Sequence, residues 1–287
     1  MNRGTIRATQ VALAVATLTA APVAGQDARD PVALDTLPVS VGSNLGLAAA
    51  PRAVEVITAE DLAALPVTTV EGALRWTGSV DLLTRSPAQA DLSIRGGSFE
   101  QVLVLVDGMR VSDPQTGHFD LDLTIPIEQV ERIEILRGAA SAAHGADAFG
   151  GVVNIVTKTP ESTRAEFRLE GGTFGTGAGA ASLETRTAGG VGFQAGFTRD
   201  RADGHRDGTD YDIWRVRSRF TAPVGAGTLT ADAGWAARDF GAQGFYAVFD
   251  SFEETRTLHG VVRWSADVGA WSITPRVASS FDGQTRQ

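Results

Sequence analysis

The sequence predicts an α+β domain followed by antiparallel transmembrane strands, the beginning of a β-barrel. Between Pro126 and Thr157, two segments rich in Ile and Val are separated by a link rich in Gly and Ala. From about Thr163 onward, helical patterns give way to alternation of apolar and polar residues with a period of two. Several alternating segments place arginine on the face opposite the apolar one, as a wall between lipid and a wet interior requires.

Composition excludes several classes of protein. The chain has 287 residues, a formal net charge of -9 and a pI near 5.0, which argues against a general nucleic-acid binder. It has no cysteine, so a disulfide framework and a thiolate metal site are both excluded. Lysine is nearly absent, and arginine therefore supplies almost all of the positive charge.

Residues 1–25 are typical of a secretory signal peptide. Arg3 and Arg7 give a positively charged start, Val11–Ala21 is an apolar run, and Val23-Ala24-Gly25 offers small residues for cleavage. The alternative is a helical or irregular tail. The signal interpretation predicts export across the inner membrane.

A short extended segment follows within residues 26–50. It consists of Asp35, Thr36, Leu37, Pro38, Val39, Ser40 and Val41. Apolar residues alternate, and Pro38 disfavours a helix, which favours a free segment able to add to the edge of another sheet. The alternative is a plain linker.

The α+β domain begins with a strand over Ala53–Ile57. Thr58 is predicted to cap a helix, with Asp61 near its third position, and Thr68–Glu71 to begin a second helix. Short strands are predicted at 79–83, 90–95 and 102–106, the last ending in the turn Asp107-Gly108.

The Pro126–Thr157 stretch is predicted to contain two strands joined by a compact turn. Pro126 suits the first position of a short helix, and Ile133–Leu136 a buried strand. Ala139–Ala143 favours one helical turn that Gly145 can end with positive φ, and Val152–Val156 is the second strand.

Three runs in this region carry a family resemblance. They read LSIRGGSFEQVLVLVDGMRV, VERIEILRG and GADAFGGVVNIVTK, in that order. Together they resemble the plug domain of TonB-dependent outer-membrane receptors, and the resemblance extends from Asp35 to Thr157. It implies that 35–41 is a TonB box within a periplasmic segment 26–50, that 51–160 is the plug domain, and that 161–287 contributes barrel strands.

The resemblance also implies where ligand binds, because the family's apical plug loops face outward and contact it. We therefore expect ligand contacts in the loops 84–91 and 111–124. The candidates are Arg85, Gln89, Gln115, His118 and Asp120. In an extended chain His118, Asp120 and Asp122 would share one side and could hold a metal, although a polar loop is the favoured interpretation.

The alternating region contains two further candidate loops. Residues 200–212 are acidic and rich in glycine, and the resemblance to cobalamin receptors makes Asp210 and Asp212 candidates for calcium; the alternative is a solvated hairpin loop. Phe240–Arg256 is predicted to be a long surface loop with an aromatic cluster.

About seven strands are predicted here, whereas receptor barrels of this family have about twenty-two. A sheet of about seven strands cannot close into a barrel around a plug domain. We therefore expect an incomplete β-barrel from a truncated sequence.

The predicted function is active uptake of a scarce ligand, cobalamin or a ferric siderophore, by an outer-membrane receptor. Its expected partners are the TonB energy-coupling protein, outer-membrane lipid and the small-molecule ligand, with no nucleic acid. The box and the 112–123 loop are closest to the cobalamin type. We expect no enzyme activity and no cofactor, apart from possible calcium.

Alternatives are a receptor for another ligand, a truncated fragment that does not transport, a metal-dependent hydrolase using His118, Asp120 and Asp122, and a passive pore or adhesin.

Overall fold

The computed structural model describes residues 53–111, 117–138, 145–244 and 251–286, which all belong to one compact unit. The predicted signal peptide 1–25, the segment 26–50 with the box 35–41, Gln115 and the helical turn Ala139–Ala143 lie outside these residues. None of the described helices is long and apolar enough to cross a membrane.

The first region, the plug, is built on a mixed sheet of five strands. These are β1 (Ala53–Thr58), β4 (Val102–Val106), β5 (Met109–Val111), β6 (Val130–Arg137) and β7 (Gly151–Thr157). Their order is β1-β6-β7-β4-β5; β4 and β7 are parallel and the other neighbours antiparallel. A separate hairpin pairs β2 (Asp81–Ser86) with β3 (Gln89–Ser93).

Two short helices, α1 (Ala59–Ala64) and α2 (Val70–Leu74), cover one face of the plug sheet. The predicted capping box is present, because the Thr58 side chain accepts from the Asp61 N–H at 3.2 Å and Asp61 Oδ2 accepts from the Thr58 N–H at 2.9 Å. The 3-10 turns Phe99–Gln101, Ile127–Gln129 and Ala146–Ala148 complete the connections. Pro126 caps the second turn, one position before the predicted one.

Burial explains why the plug sheet forms where the apolar runs occur. Ile133, Ile135, Val153 and Ile155 are fully buried, and Leu62 and Leu74 from the helices belong to the same core cluster. Close packing also dictates a glycine. A Cβ on Gly151 would lie 2.5 Å from the carbonyl oxygen of Leu136, nearer than any side chain tolerates.

The second region, the wall, is an antiparallel sheet of long strands. They are β8 (Arg164–Gly171), β9 (Gly177–Arg186), β10 (Gly192–Ala202), β11 (Tyr211–Val224), β12 (Gly227–Gly241), β13 (Phe252–Val268), β14 (Trp271–Ile273) and β15 (Arg276–Arg286). Each strand from β8 to β13 pairs with the next, and β14 and β15 both pair with β13.

Alternation near Trp271 to Phe281 predicts a single last strand, but the structure has two strands there, which together occupy one place in the wall. Pro275 lies in the break, where it has no N–H to offer the sheet. With β14 and β15 counted as one position, the described wall has the seven positions that the alternation predicts.

The wall also corrects the interpretation of Phe240–Arg256 as a surface loop. β12 continues to Gly241 and β13 begins at Phe252. Phe240 is fully buried, in a cluster with Phe119 and Ile213. It points toward the plug and is not exposed.

Alternation divides the wall into two faces. Phe167 and Leu169 of β8 are 81% and 90% exposed on the outward face, which also carries Val216, Phe220 and Trp235. The side chains of the inward face are mostly polar or charged and are buried against the plug. The described residues thus form an α+β plug beside antiparallel strands of a partial barrel.

Candidate functional site

The lengths of the links between strands distinguish the two ends of the wall. Short turns join β9 to β10 and β11 to β12, whereas the links from β10 to β11 and from β12 to β13, which are longer in sequence, connect the opposite ends of these strands. In outer-membrane barrels the short turns are periplasmic and the long loops extracellular. The hairpin residue Ala88 and Phe119 of the plug pack against Ile213 and Phe240, at the end with the long links.

Three of the predicted ligand-contact residues converge on one carboxylate near this end. Asp91 accepts hydrogen bonds from Arg85 Nε at 3.0 Å and from Gln89 Nε2 at 2.9 Å. His118 Nδ1 lies 3.0 Å from Asp91 Oδ1, and its ring is 4.2 Å from that of Phe99. Arg85 and His118 therefore contact the same carboxylate, although Arg85 lies in β2 and His118 in the turn at 118–121.

Asp91 was not among the predicted site residues, although it is the centre of this group. It is only 2% exposed, whereas the side chain of Arg85 is 42% exposed. A buried carboxylate that accepts several hydrogen bonds fixes its donors in place. Asp120 lines a small cavity beside His118 and Asp91.

The extended conformation that would place His118, Asp120 and Asp122 on one side, which was the less favoured alternative to a polar loop, does not occur. Residues 118–121 form a turn, in which the Asp122 N–H donates to the carbonyl oxygen of Phe119 at 2.8 Å. His118 then faces Asp91, and Asp122 faces the wall strands. Among the described residues, no group of three or more His, Cys, Asp or Glu is arranged to hold a metal ion.

The calcium candidates lie at the end of the wall that has the long links. Asp212 accepts two hydrogen bonds from Arg199, from Nε at 3.0 Å and Nη2 at 2.6 Å. The backbone carbonyl of Asp210 accepts from the Gly241 N–H at 2.9 Å. Calcium binding here stays a prediction.

The inward face of the wall holds its arginines against carboxylates of the plug. Asp107, in the turn after β4, forms an ion pair with Arg219 of β11 and lies 3.7 Å from Arg217 Nη2. Arg217 and Arg219 are each 1% exposed. Both also donate to Asp232 of β12, at 2.6 and 2.8 Å.

Asp107 also ties two plug strands together. It has positive φ, 49°, and with Gly108 forms the tight turn between β4 and β5. Its carboxylate accepts from the Thr157 N–H at 2.9 Å and from Thr157 Oγ1 at 2.7 Å. The same residue therefore closes the turn, fixes the end of β7 and contacts the wall.

Arg238 of β12 forms a second contact of this kind, nearer the long links. It lies 3.0 Å from Glu71 of α2 and 3.2 Å from Asp122. Its Nη1 and Nη2 donate to the plug carbonyls of Ala88 and Leu121, at 3.0 and 2.9 Å. One fully buried guanidinium thus binds three separate segments of the plug.

A third contact joins the plug to the first wall strand. Arg168 Nε of β8 donates to Glu128 Oε1 at 2.8 Å. In all three contacts the plug supplies the acid and the wall supplies the base. We call this set, Asp107, Glu71, Asp122 and Glu128 with Arg219, Arg217, Arg238 and Arg168, the charged seam.

The acids of the charged seam differ in their protonation equilibria. Burial raises the pKa of Asp107, but the charge of Arg219 and the Thr157 N–H more than offset it, so this pKa lies below its ordinary value. Glu71 behaves likewise, with burial offset mainly by Arg238. Burial raises the pKa of Asp122 above its ordinary value despite Arg238 and Thr255.

Sequence reasoning missed the charged seam, although one signal pointed to it. Arg215, Arg217 and Arg219 alternate on the inward face of β11, and we expected a wet interior to solvate them. They are buried instead, and buried charges require partners. Arg217 and Arg219 share two partners, Asp107 of the plug and Asp232 of the wall. Arg215 donates to Asp200, also of the wall, at 2.7 Å.

A cavity of about 210 Å³ separates the plug from the other side of the described wall. Its plug side includes Val106, Met109 and the segment 122–125, and its wall side is formed by β13 and β15. Two hydrogen bonds cross it: Thr255 Oγ1 donates to Asp122 at 2.8 Å, and Thr124 Oγ1 lies 2.8 Å from His259 Nδ1.

Fold and site together define a globular plug seated through paired charges against the inner face of an antiparallel wall. Residues 47–152 match the TonB-dependent receptor plug domain. That stretch is therefore similar to the plug domain of TonB-dependent receptors, and the rest of the chain lies outside the match. That family consists of receptors and transporters.

Two curated relatives are similar to the plug. The vitamin B12 transporter BtuB of Vibrio cholerae serotype O1 is 40% identical over 107 residues, which are 37% of this chain and 17% of the relative. BtuB of Photobacterium profundum is 33% identical over 124 residues, 42% of this chain and 20% of the relative. The matches thus span about a fifth of the relatives' length.

Solved structures share the fold over both regions. The siderophore receptor PirA from Pseudomonas aeruginosa has a TM-score of 0.62 at 24% identity, covering 83% of this chain and 41% of that one. The alcaligin outer-membrane receptor FauA from Bordetella pertussis has a TM-score of 0.69 at 16% identity, covering 83% and 40%.

Proposed function

We propose that this protein is an outer-membrane receptor that takes up a scarce, bulky ligand, using energy delivered by the TonB coupling protein. The observation that carries the proposal is a plug of the TonB-dependent type seated against barrel-like strands by the charged seam. The outer membrane has no ATP, so the energy has to arrive through a physical tether. The segment 35–41 is the proposed tether, pairing edge to edge with the partner.

Cobalamin is the proposed ligand. Support comes from the plug, whose curated relatives are vitamin B12 transporters at up to 40% identity. Ferric siderophores are the second candidate, because structures of the same fold include siderophore receptors. Those structures are less than 25% identical to this chain and therefore bear on the fold alone.

Ligand is proposed to bind at the end of the plug that faces the long links. Arg85 and His118, both held by Asp91, would contact it, with Gln89 and Asp120 nearby. Gln115 is a further predicted contact that lies outside the described residues. Charged and aromatic groups on a rigid support are suited to orient a large polar ligand. These residues need only bind the ligand and move during transport, and no catalytic group is required.

Deletion of residues 35–41 tests the proposed energy coupling. In cells that lack their own vitamin B12 receptor, the deletion should abolish uptake of cyanocobalamin and leave its binding at the cell surface unchanged. Uptake that continues after the deletion would contradict the proposed energy coupling.

Competition with ferric enterobactin tests the ligand class. Displacement by ferric enterobactin but not by cyanocobalamin would replace cobalamin with a ferric siderophore as the proposed ligand.

Calcium at Asp210 and Asp212 is a separate part of the proposal. To bind the ion, Asp212 would have to exchange Arg199 for it. Calcium should then raise the affinity for cyanocobalamin, and Asp212→Asn should remove that response. An affinity that is the same with calcium and with a chelator would eliminate this part.

A further inference from the structure

Two glycines of the wall lie where the plug comes closest to it. Gly196 of β10 and Gly234 of β12 are both buried on the inward face. They stand at the same level, because each pairs with Arg217 on the strand between them, β11. Neighbouring strands are about 4.8 Å apart, so the two glycines are separated by about 10 Å across the wall.

A side chain at either position would collide with the plug. A Cβ on Gly196 would lie 2.5 Å from Gln129 Nε2 and 3.2 Å from Pro126 Cγ, whereas packed atoms normally stay about 3.5 Å apart. Gln129 is fully buried, so its amide has no solvent to turn into.

Gly234 is equally close to another part of the same plug segment. A Cβ there would overlap Thr124 Oγ1 and lie 2.9 Å from Thr124 Cβ. It would also overlap the ring of His259 on the neighbouring wall strand, so Gly196 is the cleaner position for an experiment. The plug segment 124–129 therefore rests on backbone at both glycines.

The inward positions above and below these glycines are different. They are Gln194 and Thr198 on β10 and Asp232 and Ala236 on β12, and all four carry side chains. Two residues of a strand span about 7 Å. A plug shifted by that distance along the wall would place the segment 124–129 against side chains and no longer against these two glycines.

The ion pairs alone would not fix the level of the plug. Arg215, Arg217 and Arg219 occupy every second position of β11, and all three are buried on the inward face. Asp107 pairs with Arg219 but already lies 3.7 Å from Arg217 Nη2, the next arginine along the strand. Arginine side chains also have many rotamers and can follow a displaced partner. Charge therefore holds the plug without determining its height.

We propose that Gly196 and Gly234 are sockets that fix the level at which the plug sits against the wall, and that the plug segment 124–129 is the part that fits them. The level then determines which arginine each plug carboxylate meets. The sockets act between two parts of one chain and involve neither the ligand nor the energy-coupling protein. They would operate in the same way whichever ligand the protein takes up.

An exchange of size between wall and plug tests the sockets. Gly196→Ala adds a methyl group against Gln129, and Gln129→Ala removes the side chain that this methyl group would meet. The control is Gly260→Ala on the outward face of β13, where the atom nearest to a Cβ is the carbonyl oxygen of Asp232, at 3.9 Å. Each protein is purified in detergent micelles, and the rate at which a protease cleaves the plug is measured at a fixed urea concentration.

Gly196→Ala should raise the cleavage rate about tenfold, because it overpacks the contact, and Gly260→Ala should leave the rate within about twofold. Adding Gln129→Ala to Gly196→Ala should return the rate to that of Gln129→Ala alone. The same addition to Ile133→Ala, which weakens the plug core, should give no such recovery. If Gly196→Ala does not assemble, assembly of the double variant is the expected recovery.

Two results would overturn the sockets. One is a cleavage rate for Gly196→Ala equal to that of Gly260→Ala. The other is a double variant of Gly196→Ala and Gln129→Ala that is cleaved as fast as Gly196→Ala alone, or that fails to assemble as it does.

Discussion

The plug and the wall follow the same rule of alternation and use it in opposite directions. In the plug, Ile133 and Ile155 point into a dry core. In the wall, Phe167 and Leu169 point outward and Arg217 and Arg219 point inward. The comparison shows that a period of two identifies a strand but not which of its faces is buried by protein.

The plug and the wall also differ in the charge of the side chains that meet between them. In the charged seam the plug supplies the acids and the wall supplies the arginines. Asp232 of the wall also pairs with Arg217 and Arg219. A buried guanidinium in contact with a carboxylate is tolerable, whereas either alone is not. The two regions are therefore interdependent, although each has its own secondary structure.

The largest expected effect comes from comparing arginines on the two faces of the wall. Arg238→Ala removes an inward guanidinium and leaves Glu71 and Asp122 without their partner, at an expected cost of about 3–5 kcal/mol to plug seating. Arg199→Ala removes an outward one that pairs with Asp212, at about 0–1 kcal/mol. Urea-induced release of the plug, followed by proteolysis, measures both. Equal costs would contradict the assignment of faces.

Apolar truncation should show the reverse pattern. Ile133→Ala opens a cavity in the plug core and should lower the free energy of plug unfolding by about 2–5 kcal/mol. Leu169→Ala on the outward face of β8 leaves that quantity within about 0.5 kcal/mol. Urea denaturation in detergent micelles distinguishes them, and a loss at Leu169 as large as that at Ile133 would place this strand in a protein core.

Two acids of the charged seam should respond differently to pH. Because the pKa of Asp107 is lowered, its contribution is present above its unfolded pKa, about 3.9, and is lost as pH falls through the lower folded value. Because the pKa of Asp122 is raised, its contribution is greatest below the unfolded value and is lost as pH rises through the folded one.

At pH 7, Asp107→Asn should therefore weaken plug seating by about 3 kcal/mol and Asp122→Asn by about 1 kcal/mol. The difference between the costs of the two substitutions should become smaller as the pH approaches about 4. Plug release measured from pH 7 to 4 tests this, and a larger cost for Asp122→Asn at neutral pH would reverse the account of their environments.

The smallest expected effect concerns ligand binding. Asp91→Asn keeps the size of the side chain but weakens its hold on Arg85 and His118, so the affinity for cyanocobalamin should fall about tenfold. Asp81→Asn, on an exposed position of β2, is the matched control. Binding to the purified receptor is the measurement. An unchanged affinity would show that Asp91 supports the plug and not the ligand site.

Local features of both regions were predictable from sequence. The capping box of Thr58 and Asp61, the strand Val102–Val106 and the outward faces of the wall strands depend on residues close together in the chain. The break at Pro275 was also predictable, because proline has no backbone N–H to donate to a neighbouring strand.

The contacts between the regions were not predictable in this way. Asp107 and Arg219 are 112 positions apart, and Glu71 and Arg238 are 167 apart. Their pairing depends on where the plug sits, which alternation does not specify. Phe240 illustrates the same limit: its neighbours favour a loop, but packing against Phe119 of the plug extends the strand.

The central claim is that Arg219 and Arg238, on the inward face of the wall, hold the plug in place. A double-mutant cycle of Asp107→Asn and Arg219→Gln, with plug release in urea as the readout, tests it most directly. The account predicts a coupling energy of at least about 1.5 kcal/mol between the two substitutions. Effects that add to within about 0.5 kcal/mol would mean that the two side chains act independently, and would contradict the claim.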